Sequence, residues 1–275
     1  MNIVFGTWKY IFRNFWYVLP FAVAPALFLS LTLNYASVRG VLTGFFTGDP
    51  AFSFYQIFTA LSFIRIDSWW GALYSVCAFI CMVVFLAIML SLVEKHMRIG
   101  KRSFNGAFSR LNDNIVSSFF VTLLYCAIYE LWSLVTAAVL YAFGALVLNA
   151  VGVYILSLLF FIGLVYALLF VVSVFYLWLP CLQITGFRAY DALRYSYQLV
   201  SNIRGKLILA QALSLLTANI VVGLSAIYLP ALPFQIITFV VFLLLFAEFC
   251  VRMEVAYFET ENLDREDLLR SYREL

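Results

Sequence analysis

Six apolar runs, each long enough to cross a lipid bilayer, dominate the 275-residue chain. A hydrocarbon layer of about 30 Å takes about 20 helical residues to span. The runs fall at roughly 15–36, 70–94, 115–145, 153–184, 207–229 and 233–255. They are apolar on every face, whereas strands of a membrane barrel alternate apolar and polar positions, so the backbone has to satisfy its own N–H and C=O groups inside helices. The expected fold class is therefore all-α: a polytopic membrane protein with six transmembrane helices. Residues 1–275 would form a single transmembrane domain, within which 256–275 is an acidic cytoplasmic tail. Apolar residues make up 65% and charged residues 11%, against about 45–50% and about 25% in soluble domains. That balance excludes a soluble enzyme, a secreted disulfide scaffold, a disordered chain and a nucleic-acid-binding domain.

Orientation follows from the positions of Lys and Arg. With the N-terminus inside, 15 basic residues lie in inner segments and only Arg39 and Arg65 in outer ones. Both termini are expected in the cytoplasm, with a multi-pass chain in the cytoplasmic membrane. Lys9 and Arg13 precede an apolar run as in a signal peptide, but about 20 residues exceed the usual ~7–15-residue apolar core, so this run is read as a first span.

The longest outer segment carries its own pattern. Asp49-Pro50 has the chemistry of a helix start, and Phe54, Ile57, Phe58, Leu61 and Ile64 recur at helical spacing. An amphipathic helix lying in the outer interface is expected, ending at Trp69-Trp70 where the second span begins; a ligand lid is the functional alternative. Small residues mark close helix approach: Ala22, Ala26, Ser30 and Asn34 on the first span, and Ala210, Ser214 and Ala218 on the fifth. Gly40, Gly44 and Gly48 read as a flexible connector. Cys77, Cys81, Cys126, Cys181 and Cys250 lie in or beside apolar stretches and read as small buried hydrophobes. With His96 the only histidine, no metal and no cofactor are expected.

Three stretches share a layout of a short amphipathic segment, an Asn and a long apolar run. They end at Asn14, Asn114 and Asn202, with Ile11, Leu111 and Leu199 in register. Each precedes a pair of spans, which suggests three parallel repeats of an inner elbow helix plus a two-helix hairpin.

Few residues could carry chemistry. Glu130 stands 15 residues into the third span, roughly 22 Å deep at 1.5 Å per residue, and no Lys or Arg occurs from 111 to 187 or from 207 to 251. Its carboxyl must be protonated, hydrogen-bonded or open to water. Ser133, Thr136, Gln211, Ser214 and Asn219 are the candidate partners. Glu248 and Arg252, like Glu94 and Arg98, are spaced as i,i+4 ion pairs at helix ends. Lys95, Arg98, Lys101 and Arg102 crowd the first inner loop and are candidate contacts for anionic lipid headgroups. No phosphate loop, zinc-protease motif or nucleophile elbow occurs, and an enzyme is not expected. Residues 253–275 carry a net charge of −4. Asn262 would cap an amphipathic helix bearing Leu268, Leu269, Tyr272 and Leu275, which would fold back across the basic inner loops.

The stretches Lys9-Tyr10-Ile11-Phe12-Arg13-Asn14-Phe15-Trp16, Glu94-Lys95-His96-Met97-Arg98-Ile99-Gly100-Lys101 and Leu177-Trp178-Leu179-Pro180 with Gly186 resemble a group of uncharacterised bacterial multi-pass membrane proteins. The layout is also similar to membrane regions joined to glycerophosphodiester phosphodiesterases, whose catalytic part has no counterpart in these residues. The resemblance implies a bacterial cytoplasmic membrane and supplies no catalytic residue. The expected role is a non-enzymatic assembly or lipid-organising component whose partners are membrane lipids, with a small secondary transporter or channel using Glu130 as the alternative.

Overall fold

The computed structural model describes residues 3–47, 53–104, 107–144 and 150–268. Ten helices occur among them: α1 (Ile3–Arg13), α2 (Phe15–Thr32), α3 (Tyr35–Thr47), α4 (Phe54–Leu61), α5 (Trp69–Ile99), α6 (Ala107–Gly144), α7 (Ala150–Phe175), α8 (Trp178–Thr185), α9 (Ala189–Tyr228) and α10 (Ala231–Thr260). No strand is present among the described residues. Six helical stretches are long and apolar enough to span a membrane: Phe15–Thr32, Trp69–Ile99, Asn114–Gly144, Gly152–Thr185, Ala189–Tyr228 and Ala231–Thr260. The protein is thus an all-helical, six-span chain.

The spans close a ring in the order α2, α5, α6, α7, α9, α10, with α5 also meeting α10 across it. Consecutive spans pair as α2 with α5, α6 with α7 and α9 with α10, the hairpins expected from the sequence. Packing is uneven along the ring axis. In α10, Phe246 to Phe258 is buried on almost every side, and so is Leu86 to Val93 of α5. A helix that buries its whole circumference is a central one. These two half-helices gather α1, the start of α2 and α8 into one core at what we term the basic end; α3 and α4 occupy the opposite end.

The small-residue stripes sit where helices meet: Ala22, Ala26 and Ser30 are buried at the α2 contacts, and Ala210 and Ala218 on α9. The carbonyl of Ser30 accepts a 2.7 Å bond from Gln235 of α10. Of the Gly40–Gly44–Gly48 series, Gly48 lies outside the described residues; a side chain at Gly40 would meet open space. All five cysteines are free.

Sequence also dictates the breaks. Pro180 falls in the first turn of α8, where its missing N–H costs nothing, and the chain unwinds at Tyr176-Leu177 just before it. Pro20 and Pro25 stay inside α2, as membrane helices tolerate. Of the three segments ending at Asn14, Asn114 and Asn202, only the first makes an elbow; α6 and α9 run unbroken through the other two. For that reason α9 begins at Ala189, well before the expected 207: the amphipathic stretch continues the span helix.

Two further expectations change. Asp49 and Pro50 lie outside the described residues, and α4 starts at a capping box in which Ser53 Oγ accepts from Gln56 N while Gln56 Oε1 accepts from Ser53 N. The helix does not lie flat across the spans. Phe54 touches Tyr141 and the Leu61 carbonyl meets Tyr129, so α4 runs down along α6. At the other terminus, α10 continues to Thr260, which places residues 253–258 in the core and not in a solvated tail. Asn262, at φ 53°, closes α10 in the left-handed region and does not cap a tail helix. Leu269, Tyr272 and Leu275 lie outside the described residues.

Candidate functional site

Glu130 sits half-buried on the flank of α6 that α4 covers. Between α4 and α5 the backbone leaves the helical path at residues 62–68, and every donor freed there needs a partner. Glu130 supplies several. Its Oε1 accepts from the N–H groups of Phe63 (3.0 Å) and Ile64 (3.3 Å), and its Oε2 accepts from the hydroxyls of Ser62 (2.7 Å) and Ser133 (3.3 Å). The neighbouring Tyr129 hydroxyl donates to the Leu61 carbonyl at 2.7 Å. Ser75 Oγ accepts from Arg65 N at 2.9 Å. Arg65 and Asn34 hold Asp67 at 2.7 and 2.8 Å, and the Arg65 guanidinium keeps the Asp67 carboxyl below its ordinary range. Glu130 is the clasp of a satisfied turn.

Of its expected partners, only Ser133 makes contact. The Thr136 hydroxyl is buried with no partner among the described residues. Gln211, Ser214 and Asn219 belong to α9, which α7 separates from α6 in the ring. Helix order in the ring, which hydropathy does not encode, decides this correction. Asn219 is exposed and bonds its own helix at the Leu215 carbonyl (2.8 Å).

Ser214 instead joins α10. Its hydroxyl meets Glu248 Oε1 at 2.8 Å and Arg252 Nη2 at 2.7 Å, and Arg252 donates directly to Glu248. The i,i+4 pair forms as its spacing suggests, but both side chains are 3% exposed. It is a core ion pair and not a helix-end pair at the interface. Gln211 lies one turn before Ser214, buried, with both amide atoms unpartnered among the described residues; the Arg252 Nε is unpartnered too.

Glu254 does not stand out in the sequence because it is counted with the acidic residues of the stretch 253–275. It is fully buried, with neither carboxyl oxygen hydrogen-bonded among the described residues. The available signal is its position six residues after Glu248 and two after Arg252 in a helix that is uncharged from Ile236 to Ala247. The Glu94–Arg98 pair (2.8 Å) on α5 lies close enough to act on it electrostatically.

At the basic end the four candidate lipid contacts divide. Arg98 is half-exposed while bound to Glu94, and Lys95 reaches Ser103 Oγ at 3.5 Å. Lys101 and Arg102 are exposed. Arg102 turns back to the elbow, where its Nε donates to Asn14 Oδ1 (2.9 Å) and its Nη2 to the Arg13 carbonyl (3.0 Å). The Asn14 side chain in turn donates to the Tyr10 carbonyl at 3.0 Å. A cavity of about 410 Å³ opens here, lined by Phe12, Arg13, Asn14, Phe15, Trp16, Tyr17 and Arg102. The sequence pointed to Arg102 but not to its meeting with Arg13.

The chain returns to this end after α10. Arg265 pairs with Asp267 (2.9 Å) and lies over the Tyr10 ring at 5.9 Å. Burial pushes the Tyr10 hydroxyl well above its ordinary range, and Tyr10 shares a 2.8 Å hydrogen bond with His96 Nδ1. The Glu266 carbonyl rests so near Gly100 that a Cβ there would approach within 3.1 Å. Residues 265–268 thus dock on the ends of α1 and α5.

Among the described residues no three His, Cys, Asp or Glu side chains converge as a metal site would require. No protein-family model, curated protein or solved structure matches the chain.

Proposed function

We propose that the protein is a non-enzymatic, lipid-organising component of a bacterial cytoplasmic membrane, with its basic end and both termini in the cytoplasm. One observation carries this reading. The exposed Arg13 and Arg102 line one cavity with the exposed rings of Phe12 (70%) and Trp16 (84%), and the exposed Lys101 is next to Arg102 in the chain. Aromatic rings settle at the headgroup level, and each basic side chain near an anionic surface contributes about 1 kcal/mol. A face with both is suited to hold anionic lipid. The assembly role of such a protein would be to gather that lipid around the ring of spans.

A transporter or channel working through Glu130 would need that carboxyl free to exchange a proton or ion. Its four hydrogen bonds to a turn and to Ser133 count against such use. The three hairpins fit an origin in three parallel repeats, of which the first alone keeps its elbow.

The test is to reconstitute the protein in nanodiscs of equal phosphatidylglycerol and phosphatidylcholine and measure, with spin-labelled analogues, which lipid is held at its surface. Enrichment of phosphatidylglycerol that fades with added salt supports the reading. Equal retention of both lipids refutes it. Sidedness is read in cells from impermeant thiol labelling of Ile66→Cys from outside and Lys101→Cys only after lysis.

A further inference from the structure

We propose that the elbow between α1 and α2 is a defined binding site for the phosphate group of an anionic phospholipid. The proposal rests on the lipid-organising reading above and narrows it from a basic face to one cavity.

The elbow brings two arginines, Arg13 and Arg102, to the lining of one cavity. α1 buries Ile3, Thr7, Tyr10 and Ile11 on one face, which lays the helix against the core and turns Phe5 and Phe12 outward. The chain breaks at Asn14, where φ is −120° and ψ 30°, and α2 leaves in a new direction. Arg102, 88 residues further along the chain than Asn14, is fixed in the break by its bonds to Asn14 Oδ1 and the Arg13 carbonyl. Those bonds engage two of its five N–H donors, so three remain to face a ligand. The Arg13 guanidinium makes no hydrogen bond among the described residues, and Arg13 is one of the residues lining the same cavity. Two arginines thus line one opening with no carboxylate among the lining residues. An anion relieves that arrangement, and the planar fork of arginine matches the oxygens of a phosphate group.

The remaining walls select a lipid over a soluble anion. Phe12, Phe15 and Trp16 line the cavity and are 70%, 40% and 84% exposed. Rings so displayed at the end of a membrane span belong at the headgroup boundary, where glycerol and the first acyl carbons would cover them. A free phosphate ion would leave them bare. The volume, about 410 Å³, falls within the range of small-molecule sites.

The experiment uses the full chain in nanodiscs containing phosphatidylglycerol and phosphatidylcholine, with bound lipids counted by native mass spectrometry. Arg13→Gln should reduce retained phosphatidylglycerol about fivefold, the factor general for one basic group at an anionic surface. Arg102→Gln should do at least as much and Arg102→Lys less, with phosphatidylcholine unchanged throughout. Arg102 also supports the elbow, so Arg13→Gln carries the test if Arg102→Gln fails to fold. Arg188→Gln, which alters an exposed arginine at the start of α9, should change nothing. An equal loss with Arg188→Gln would mean diffuse charge and overturn the site. Unchanged retention in Arg13→Gln would also overturn it while leaving the broader lipid reading standing. No preference for phosphatidylglycerol in the unaltered protein would remove both. Displacement of the lipid by millimolar inorganic phosphate would show a free-anion site and overturn the lipid assignment.

Discussion

Removing the Glu130 side chain should separate a structural clasp from a transport residue. The carboxylate satisfies the Phe63 N–H at 3.0 Å and, more weakly, the Ile64 N–H at 3.3 Å, together with the Ser62 hydroxyl at 2.7 Å. Glu130→Ala orphans a backbone donor beside buried Ser62. An unsatisfied buried donor costs about 1–3 kcal/mol, so with the lost Ser62 bond the total is about 3 kcal/mol. Glu130→Gln behaves differently. Its carbonyl keeps the Phe63 N–H, and its amide can donate to Ser62 Oγ, whose own proton turns to the Ile64 carbonyl 3.1 Å away. Only the difference between charged and neutral acceptors is lost, about 1 kcal/mol. At about 2–4 °C per kcal/mol for a chain of this size, the melting temperature in mild detergent should fall by about 2–4 °C for Gln and about 6–12 °C for Ala. Tyr129→Phe, which frees the Leu61 carbonyl, should resemble Gln. Equal losses for Gln and Ala, or none for Ala, would refute the clasp.

Three other outcomes are expected. Arg252→Met should cost about 3–5 kcal/mol by stranding Glu248 in the core, and Glu248→Met together with Arg252→Met should recover most of it; thermal melts of the two singles and the double decide. Asp67 has a folded pKa below its ordinary 3.8, so its contribution is present above that value and lost as pH falls through the lower one. Melts between pH 6 and pH 3 should show a small loss at the acid end that Asp67→Asn no longer shows. Gly100→Ala meets both a φ of 70° and the Glu266 carbonyl. It should cost about 1–3 kcal/mol and make residues after Thr260 easier to cleave in limited proteolysis.

The spans were legible because an apolar run of about 20 residues has one stable use in hydrocarbon. Their faces were partly legible too: Ala22, Ala26 and Ser30 announce a close approach by size alone. Glu130 stood out as a lone acid, but two of its partners are backbone N–H groups of a turn, which every residue except proline owns, so no side-chain pattern could name them. Gln211, Ser214 and Asn219 share a helix, and only the ring order shows that this helix faces α10 and α7. Glu254 was hidden by composition. The acidic count of the last residues merged a buried carboxyl with solvated ones. Arg102 was visible as charge, whereas its meeting with Arg13 depends on a break at Asn14 that the similar segments at Asn114 and Asn202 do not make.

The burial of α10 bears on how the protein is made. During synthesis α2 and α5 emerge early and can pair at once, yet each keeps a flank meant for a helix about 130 residues behind Ile99. At ~5–20 residues per second, roughly 7–26 seconds pass before α10 arrives. In that interval the flanks of α2 and α5 that pack on α10 lack their final neighbour, although α6 and α7 have already been made. The newest helix must then enter the oldest part of the bundle and carry Glu248, Arg252 and Glu254 with it. The insertion machinery therefore has to leave the first hairpin accessible on one side until the last one is delivered.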